Sequence, residues 1–285
     1  MATPRAILLT ALAMLPLAAN SWLCRAALRD TGIDAASFTS IRLIAGALML
    51  WLLVRLSRNE RSGAGNWPSA FALFGYAALF SFAYLSLTAA TGALLLFGAV
   101  QVTMIGLGLW GGERLRMLQG LGVALAFGGL VGLLMPGLSA PPLGGALLMI
   151  GAGVSWGVYS VRGKGLGNPT RVTAGNFLRT VPITLVLSLL LLRDLSLDAA
   201  GIGYAVASGA LTSALGYVLW YTVLPMIRAT TAATVQLSVP VIVAIGGVAL
   251  LGEAITLRLV LASAAVLGGI WLVIAGKPAR RESPG

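Results

Sequence analysis

The chain has 285 residues, 58% of them apolar and 9% charged, with a mean hydropathy of +0.95 and a formal charge of +11. Soluble domains carry roughly a quarter charged residues and disordered chains are poor in apolar ones, so both classes are excluded. Thirty-seven glycines without a three-residue period exclude collagen, and an integral membrane protein remains.

A helix must cover about 30 Å of hydrocarbon, which takes roughly 20 apolar residues. Windows bounded by Pro, Gly or charge predict ten spans, near 6–24, 35–56, 68–88, 91–110, 115–135, 142–161, 173–192, 201–223, 230–251 and 257–275. The junctions are short, and only the tail from Lys277 reads as exposed. Arg5 and the apolar run after it also resemble a signal peptide. A matching Ser-Trp segment later in the chain favours a retained span.

The basic residues are distributed by topology. One side receives Arg5, Arg55, Arg58, Arg61, Arg114, Arg116, Arg162, Lys164, Arg171, Arg228, Lys277, Arg280 and Arg281, and the other Arg25, Arg29, Arg193 and Arg258. The positive-inside rule therefore puts both termini in the cytoplasm. No basic run lies on a soluble surface, so nucleic acid is not an expected partner. The expected partners are a lipid bilayer and a small-molecule substrate, with the chain a monomer or weak homodimer.

Histidine is absent and Cys24 is the sole cysteine. These absences remove histidine catalysis and relays, Cys-rich metal sites and internal disulfides. The predicted spans hold no Asp and no central Glu, so no catalytic residue, metal site or cofactor is expected, and the chain does not read as an enzyme. It also lacks the Gly-x4-Gly-Lys-Ser/Thr loop that would bind ATP.

Shifting the chain by 140 residues aligns 91–136 with 231–276, matching Thr91 to Thr231, Gly106 to Gly246, Gly112-Glu113 to Gly252-Glu253 and Gly128-Gly129 to Gly268-Gly269. At slightly smaller shifts Ser21-Trp22 meets Ser155-Trp156 and Arg42 meets Arg179. Two five-span units are predicted, 1–138 and 139–276, followed by a cytoplasmic tail, 277–285. An odd span number inverts the second unit, the architecture of secondary transporters with a midplane site.

The Gly-Glu pairs between a helix and a following glycine-bearing helix, repeated in two five-helix units, resemble the drug/metabolite transporter superfamily. The nearest resemblance is to its EamA-type ten-helix bacterial exporters, over residues 6–275. Within that branch the chain is most similar to aromatic amino-acid exporters. The resemblance implies an all-α integral membrane fold and export of aromatic and other neutral amino acids by alternating access. The alternative is export of drugs or other hydrophobic metabolites. One departure is Val100-Gln101 in the first unit, where the second has Pro240.

Tyr76, Phe80 and Tyr84 fall on one face of the third span, and Tyr217, Trp220 and Tyr221 on one face of the eighth. A tyrosine deep in a span needs a hydroxyl partner, so these stripes read as cavity lining, with plain packing as the alternative. Trp51, Trp67, Trp110, Tyr204 and Trp271 read as interfacial belt residues. Asn20, Ser21, Gln101, Ser155 and Gln236 need hydrogen bonds inside hydrocarbon, to another helix or to substrate. Trp22, Trp156 and Tyr159 lie close to them along the chain. Arg42 and Arg179 are charge or coupling candidates, unless they snorkel to the interface. Glu113 and Glu253 suit helix N-termini, with coupling as the minority role.

Overall fold

The computed structural model describes residues 4–56, 64–110, 112, 115–137, 139–163, 168–223 and 235–275. Within helices it leaves aside the side chains of 4–7 and 221–223. The described residues are all-helical apart from turns, with no strand among them. The helices are α1 (Pro4–Asp30), α2 (Ala35–Leu56), α3 (Trp67–Tyr84), α4 (Ala89–Trp110), α5 (Met117–Leu134), α6 (Leu143–Arg162) and α7 (Pro169–Leu190). After a short 3-10 turn come α8 (Ala199–Ala207), a π-helical stretch (Ser208–Leu215) and α9 (Gly216–Val223), followed by α10 (Ser238–Leu251) and α11 (Leu257–Ala275). Among the described residues, eight helical segments are long and apolar enough to cross a membrane. Those eight do not include α3, which carries Pro68, two serines and two tyrosines, or α10 with its 14 residues. The predicted ninth span begins at 230, and residues 224–234 lie outside the described set. So does the tail from Lys277.

Local chemistry sets the ends. Asn66 accepts a hydrogen bond from Ser69 N (2.9 Å) with Pro68 following, and Asn168 from Arg171 N (3.2 Å) with Pro169 following. Gly252, at φ 62°, closes α10 in the left-handed conformation that glycine adopts without strain. Asp34 and Asp198 join the α1–α2 turn to the α7–α8 connection. Asp34 accepts from Ser37 N (2.8 Å) and Ser196 N (3.0 Å), while Asp198 accepts from Gly201 N (2.6 Å) and Gly32 N.

The principal packing pairs are α5 with α11, α3 with α6, α2 with α7, and α4 with α6. In addition α1 lies along the α8–π–α9 rod and against α10. Apolar helices in lipid associate through close packing, which small residues permit. At α5–α11, a Cβ on Gly269 would meet the Gly122 carbonyl and stand 2.6 Å from Ala126 N, and one on Gly129 would stand 2.8 Å from Ala265 Cβ. At α4–α6, a Cβ on Gly153 would stand 2.6 Å from Ala99 Cβ. Not every glycine in the sequence does this: Gly106, Gly128, Gly132 and Gly268 face open space. The core among the helices includes Met14, Cys24, Phe38, Leu43, Phe80, Tyr84 and Phe177, while Leu and Trp side chains such as Leu189, Trp110 and Trp271 cover the outside.

Two predictions follow from this packing. Gly269→Ala should lower stability in detergent by about 1–3 kcal/mol, the usual cost of overpacking, whereas neighbouring Gly268→Ala should be neutral or mildly stabilising. Melting of the two variants beside the parent checks the pair. The second concerns the two aspartates. Partial burial alone raises the Asp34 carboxyl, and the N–H groups of Ser196, Ser37 and Ala36 outweigh it, leaving it below the usual range. Donation from Gly201 and Gly32 lowers Asp198 likewise. Depressed values mean that their stabilisation is complete above pH about 4 and is lost as pH falls through the folded-state values. Asp34→Asn/Asp198→Asn should therefore melt earlier at pH 7 and lose less on going from pH 5 to pH 3.

Candidate functional site: a buried amide, guanidinium and ring cluster

Asn20 sits on α1 with 6% of its surface exposed, where an unpaired amide would be costly. Its Oδ1 accepts from Ser208 Oγ (2.7 Å) and Thr212 Oγ1 (3.2 Å), both on the π-helical stretch. Its Nδ2 donates to the Tyr76 hydroxyl (3.1 Å). The same hydroxyl accepts from Arg42 Nη2 (3.2 Å). Four chain segments, from α1, α2, α3 and the π stretch, thus share one polar network. A widened helical turn is rare and concentrates at functional sites, and here it carries two of the donors.

Rings surround that network. Tyr76 contacts Phe80 (centroids 5.4 Å) and Trp156 (4.8 Å), and Phe80 meets Tyr84 edge-on at 4.7 Å. Trp156 stacks on Tyr217 (5.3 Å) and touches Tyr159 (5.4 Å), and Tyr217 meets Phe177 at 6.2 Å. The Arg42 guanidinium lies over both Tyr76 (5.3 Å) and Phe80 (5.1 Å). It is buried and does not snorkel to the interface. Within this seven-ring assembly Trp156 is half-buried and the other six rings are buried.

Each end of the bundle has its own polar tie. Where α1 ends, Arg25 Nε pairs with Glu253 Oε1 (3.0 Å) and Arg25 Nη1 donates to Tyr84 O (2.8 Å). Glu253 Oε2 accepts from Ala89 N (2.7 Å). Glu253 thus serves a helix N-terminus, and the helix is α4 rather than α11, which follows it in the chain. At the opposite end Asn176 accepts from Asn66 N (2.9 Å) and donates to the Tyr159 hydroxyl (3.4 Å). Arg179 Nη1 donates to the carbonyls of Ala64 (2.5 Å) and Gly175 (2.8 Å).

Asn20, Tyr76, Phe80, Trp156, Tyr159, Tyr217 and Arg42 therefore come together. Tyr84 is at the rim, fully enclosed, with its ring against Gly92 and its hydroxyl on Ala89 O (3.3 Å). Trp22 lies flat on Gly246 and donates to Val243 O (2.9 Å), outside the cluster. Gln101 is buried on α4 and Gln236 is half-buried just before α10, and neither shares a hydrogen bond with the network. Arg179, expected to match Arg42, instead serves the bundle end. The side chain of Tyr221 and all of Glu113 lie outside the described residues. Trp51, Trp67, Trp110 and Trp271 are exposed on the bundle exterior. Ser208, Thr212, Phe177 and Asn176 were not predicted. Hydroxyls at i and i+4 in an apolar span, and an asparagine within the seventh span, were the available signals.

A sequence model of the EamA-like transporter family matches residues 143–275. An uncharacterized protein of Pseudomonas aeruginosa is 55% identical over 99% of this chain and 98% of its own length. Residues 143–275 form an EamA-like transporter domain. An uncharacterized transporter of Archaeoglobus fulgidus is 33% identical over 57% of this chain and 59% of its own. A protein of known crystal structure superposes with a TM-score of 0.63 over 94% of this chain and 97% of its own, at 21% identity, a likeness of fold alone. Together with the apolar helices, that domain marks a multi-pass membrane transporter.

The network yields a prediction of its own. Asn20→Leu removes the partner of the Ser208 and Thr212 hydroxyls and one donor to Tyr76, so stability should fall by about 1–3 kcal/mol. Trp110→Ala, at a side chain 91% exposed on the exterior, should melt as the parent does. Equal melting of all three proteins would show that the network holds nothing together.

Proposed function

We propose that this transporter exports amino acids, aromatic and other neutral ones, across the bacterial inner membrane by alternating access. The observation that carries the reading is the Asn20–Tyr76–Arg42 network enclosed by Phe80, Trp156 and Tyr217. Rings receive an apolar side chain, and convergent donors and acceptors receive the charged groups of an amino acid. In this reading Tyr159 and the second stripe, with Tyr221, complete the wall, and Gln101 and Gln236 extend it along the path. Trp22 and Tyr84 support the wall from behind. Export of drugs or other hydrophobic metabolites remains the second reading, favoured by the number of rings.

The architecture proposed for this function is ten spans in two inverted repeats, 1–138 and 139–276, with a cytoplasmic tail and both termini inside. The packing supports it: α5 lies on α11 and α2 on α7, and the α3–α6 pair has its counterpart in α1 against the α8–π–α9 rod. A twofold exchange of the halves relates these contacts. Arg25–Glu253 then ties the outer end, and Glu113, matched to Glu253 in the sequence, is a coupling candidate. Arg179 lies at the inner end, and energy comes from a gradient rather than ATP.

Purified protein in liposomes should release labelled phenylalanine without ATP, faster than a cationic dye. Dye release with amino acids retained would favour the second reading. Cysteines introduced at Ser57 and Ser283 should react from the cytoplasm only, and one at Ser139 from the periplasm only. Reaction of the Ser283 position from outside would overturn the ten-span arrangement.

A further inference from the structure

Inside the bundle the surroundings of Arg42 are chemically incomplete. Its side chain is two turns into α2 and 2% exposed. Nη2 donates to Tyr76, while Nε and Nη1 have no hydrogen-bond partner. The described acidic residues are Asp30, Asp34, Asp194, Asp198 and Glu253, and the ion pairs among described residues are Arg25–Glu253 and Arg29–Asp30, so none serves Arg42. Two ring faces and one hydroxyl compensate part of the charge. An arginine deep in a membrane bundle is otherwise paired, because an uncompensated buried charge is strongly unfavourable. The N–H groups of Nε and Nη1 remain without a partner, and the second hydrogen of Nη2 forms with one of them the two-donor edge that matches a carboxylate. The Tyr76 hydroxyl accepts from both Asn20 and Arg42, which leaves its own hydrogen as a further donor.

We propose that Arg42 receives the carboxylate of the transported molecule, so that the cargo is a small organic carboxylate whose apolar body lies against the Tyr76, Phe80 and Trp156 rings. This rests on the transport reading of the same cluster and makes the carboxylate, rather than the amino group, the feature that admits a substrate. Asn20 holds the Tyr76 hydroxyl, and through it the guanidinium, in place. Amines and cationic dyes of equal size meet a buried positive charge and are excluded. An amide offers a neutral carbonyl where the site awaits an anion.

The test uses matched ligands on the full protein: 3-phenylpropionate with its amide, phenylalanine with phenylalaninamide and phenethylamine, and chloride and inorganic phosphate alone. Thermal stabilisation in detergent and inhibition of counterflow in liposomes are the readouts. Each carboxylate should act at a concentration about tenfold or more below its amide or amine partner, and the inorganic anions should act weakly. Arg42→Gln should abolish that preference and Arg42→Lys should retain part of it. Arg42→Met without ligand should melt no lower than the parent, since an unpartnered charge has been removed, whereas an arginine that only braces the bundle would be missed. Carboxylates and amides acting alike on the parent would overturn the proposal, and this comparison needs no variant to fold. So would inorganic anions acting as well as the carboxylates, or an Arg42→Gln protein that keeps the preference. If phenylalanine and its amide are exported equally well, the carboxylate role fails and amino-acid transport stands. If 3-phenylpropionate binds through Arg42 and no amino acid is exported, the carboxylate role stands and the amino-acid reading fails.

Discussion

Hydrocarbon offers no hydrogen bonds, so every polar group drawn into the bundle has to find its partner on another helix. The Tyr76 hydroxyl shows what this constraint does to the architecture. It gathers Asn20 from α1 and Arg42 from α2 onto α3, and Asn20 in turn collects Ser208 and Thr212 from the π stretch. Four segments distant in sequence are registered against one another by one oxygen and one amide. Apolar packing alone would leave helix rotation poorly specified, because leucine faces are interchangeable. The polar network fixes which face of each helix turns inward, and the rings follow.

The two bundle ends obey the same rule with different chemistry. Glu253 answers a guanidinium and a helix N-terminal N–H together, while Asn176 and Arg179 answer backbone groups of the segment before α3. At the ends, charge is neutralised by charge or by backbone dipoles. In the middle no described acid reaches Arg42 and ring faces with one hydroxyl stand in its place, and that difference distinguishes Arg42 from Arg25 although both are arginines inside the same bundle.

Membrane class and helical fold were legible because hydropathy reports them residue by residue. The ring stripe Tyr76, Phe80, Tyr84 was legible for a similar reason, since a spacing of four fixes one face. What that face meets was not. Tyr76 finds donors and Tyr84 finds Gly92, and no periodicity separates the two. Arg42 and Arg179 occupy matching places in the sequence, yet one is sealed between rings and the other reaches a carbonyl at the end. The π stretch was read as ordinary span because its residues, Ser208 to Leu215, suit an α-helix equally well. In the folded bundle it packs against α2 and α1.

Gly209 has a mechanical consequence. A Cβ there would strike the Arg42 carbonyl and come within 3.0 Å of Gly46 N, so α2 and the α8–π–α9 rod touch backbone to backbone at that point. Gly209 lies near the middle of the 199–220 span, with about 15 Å of helix on either side. The rod is held here as well as at its Asp198 end, where Asp198 accepts from Gly32 N. Arg42 and Ser208 flank the contact, so their spacing is set by the bare hydrogen of a glycine, and any side chain at residue 209 would force the two backbones apart.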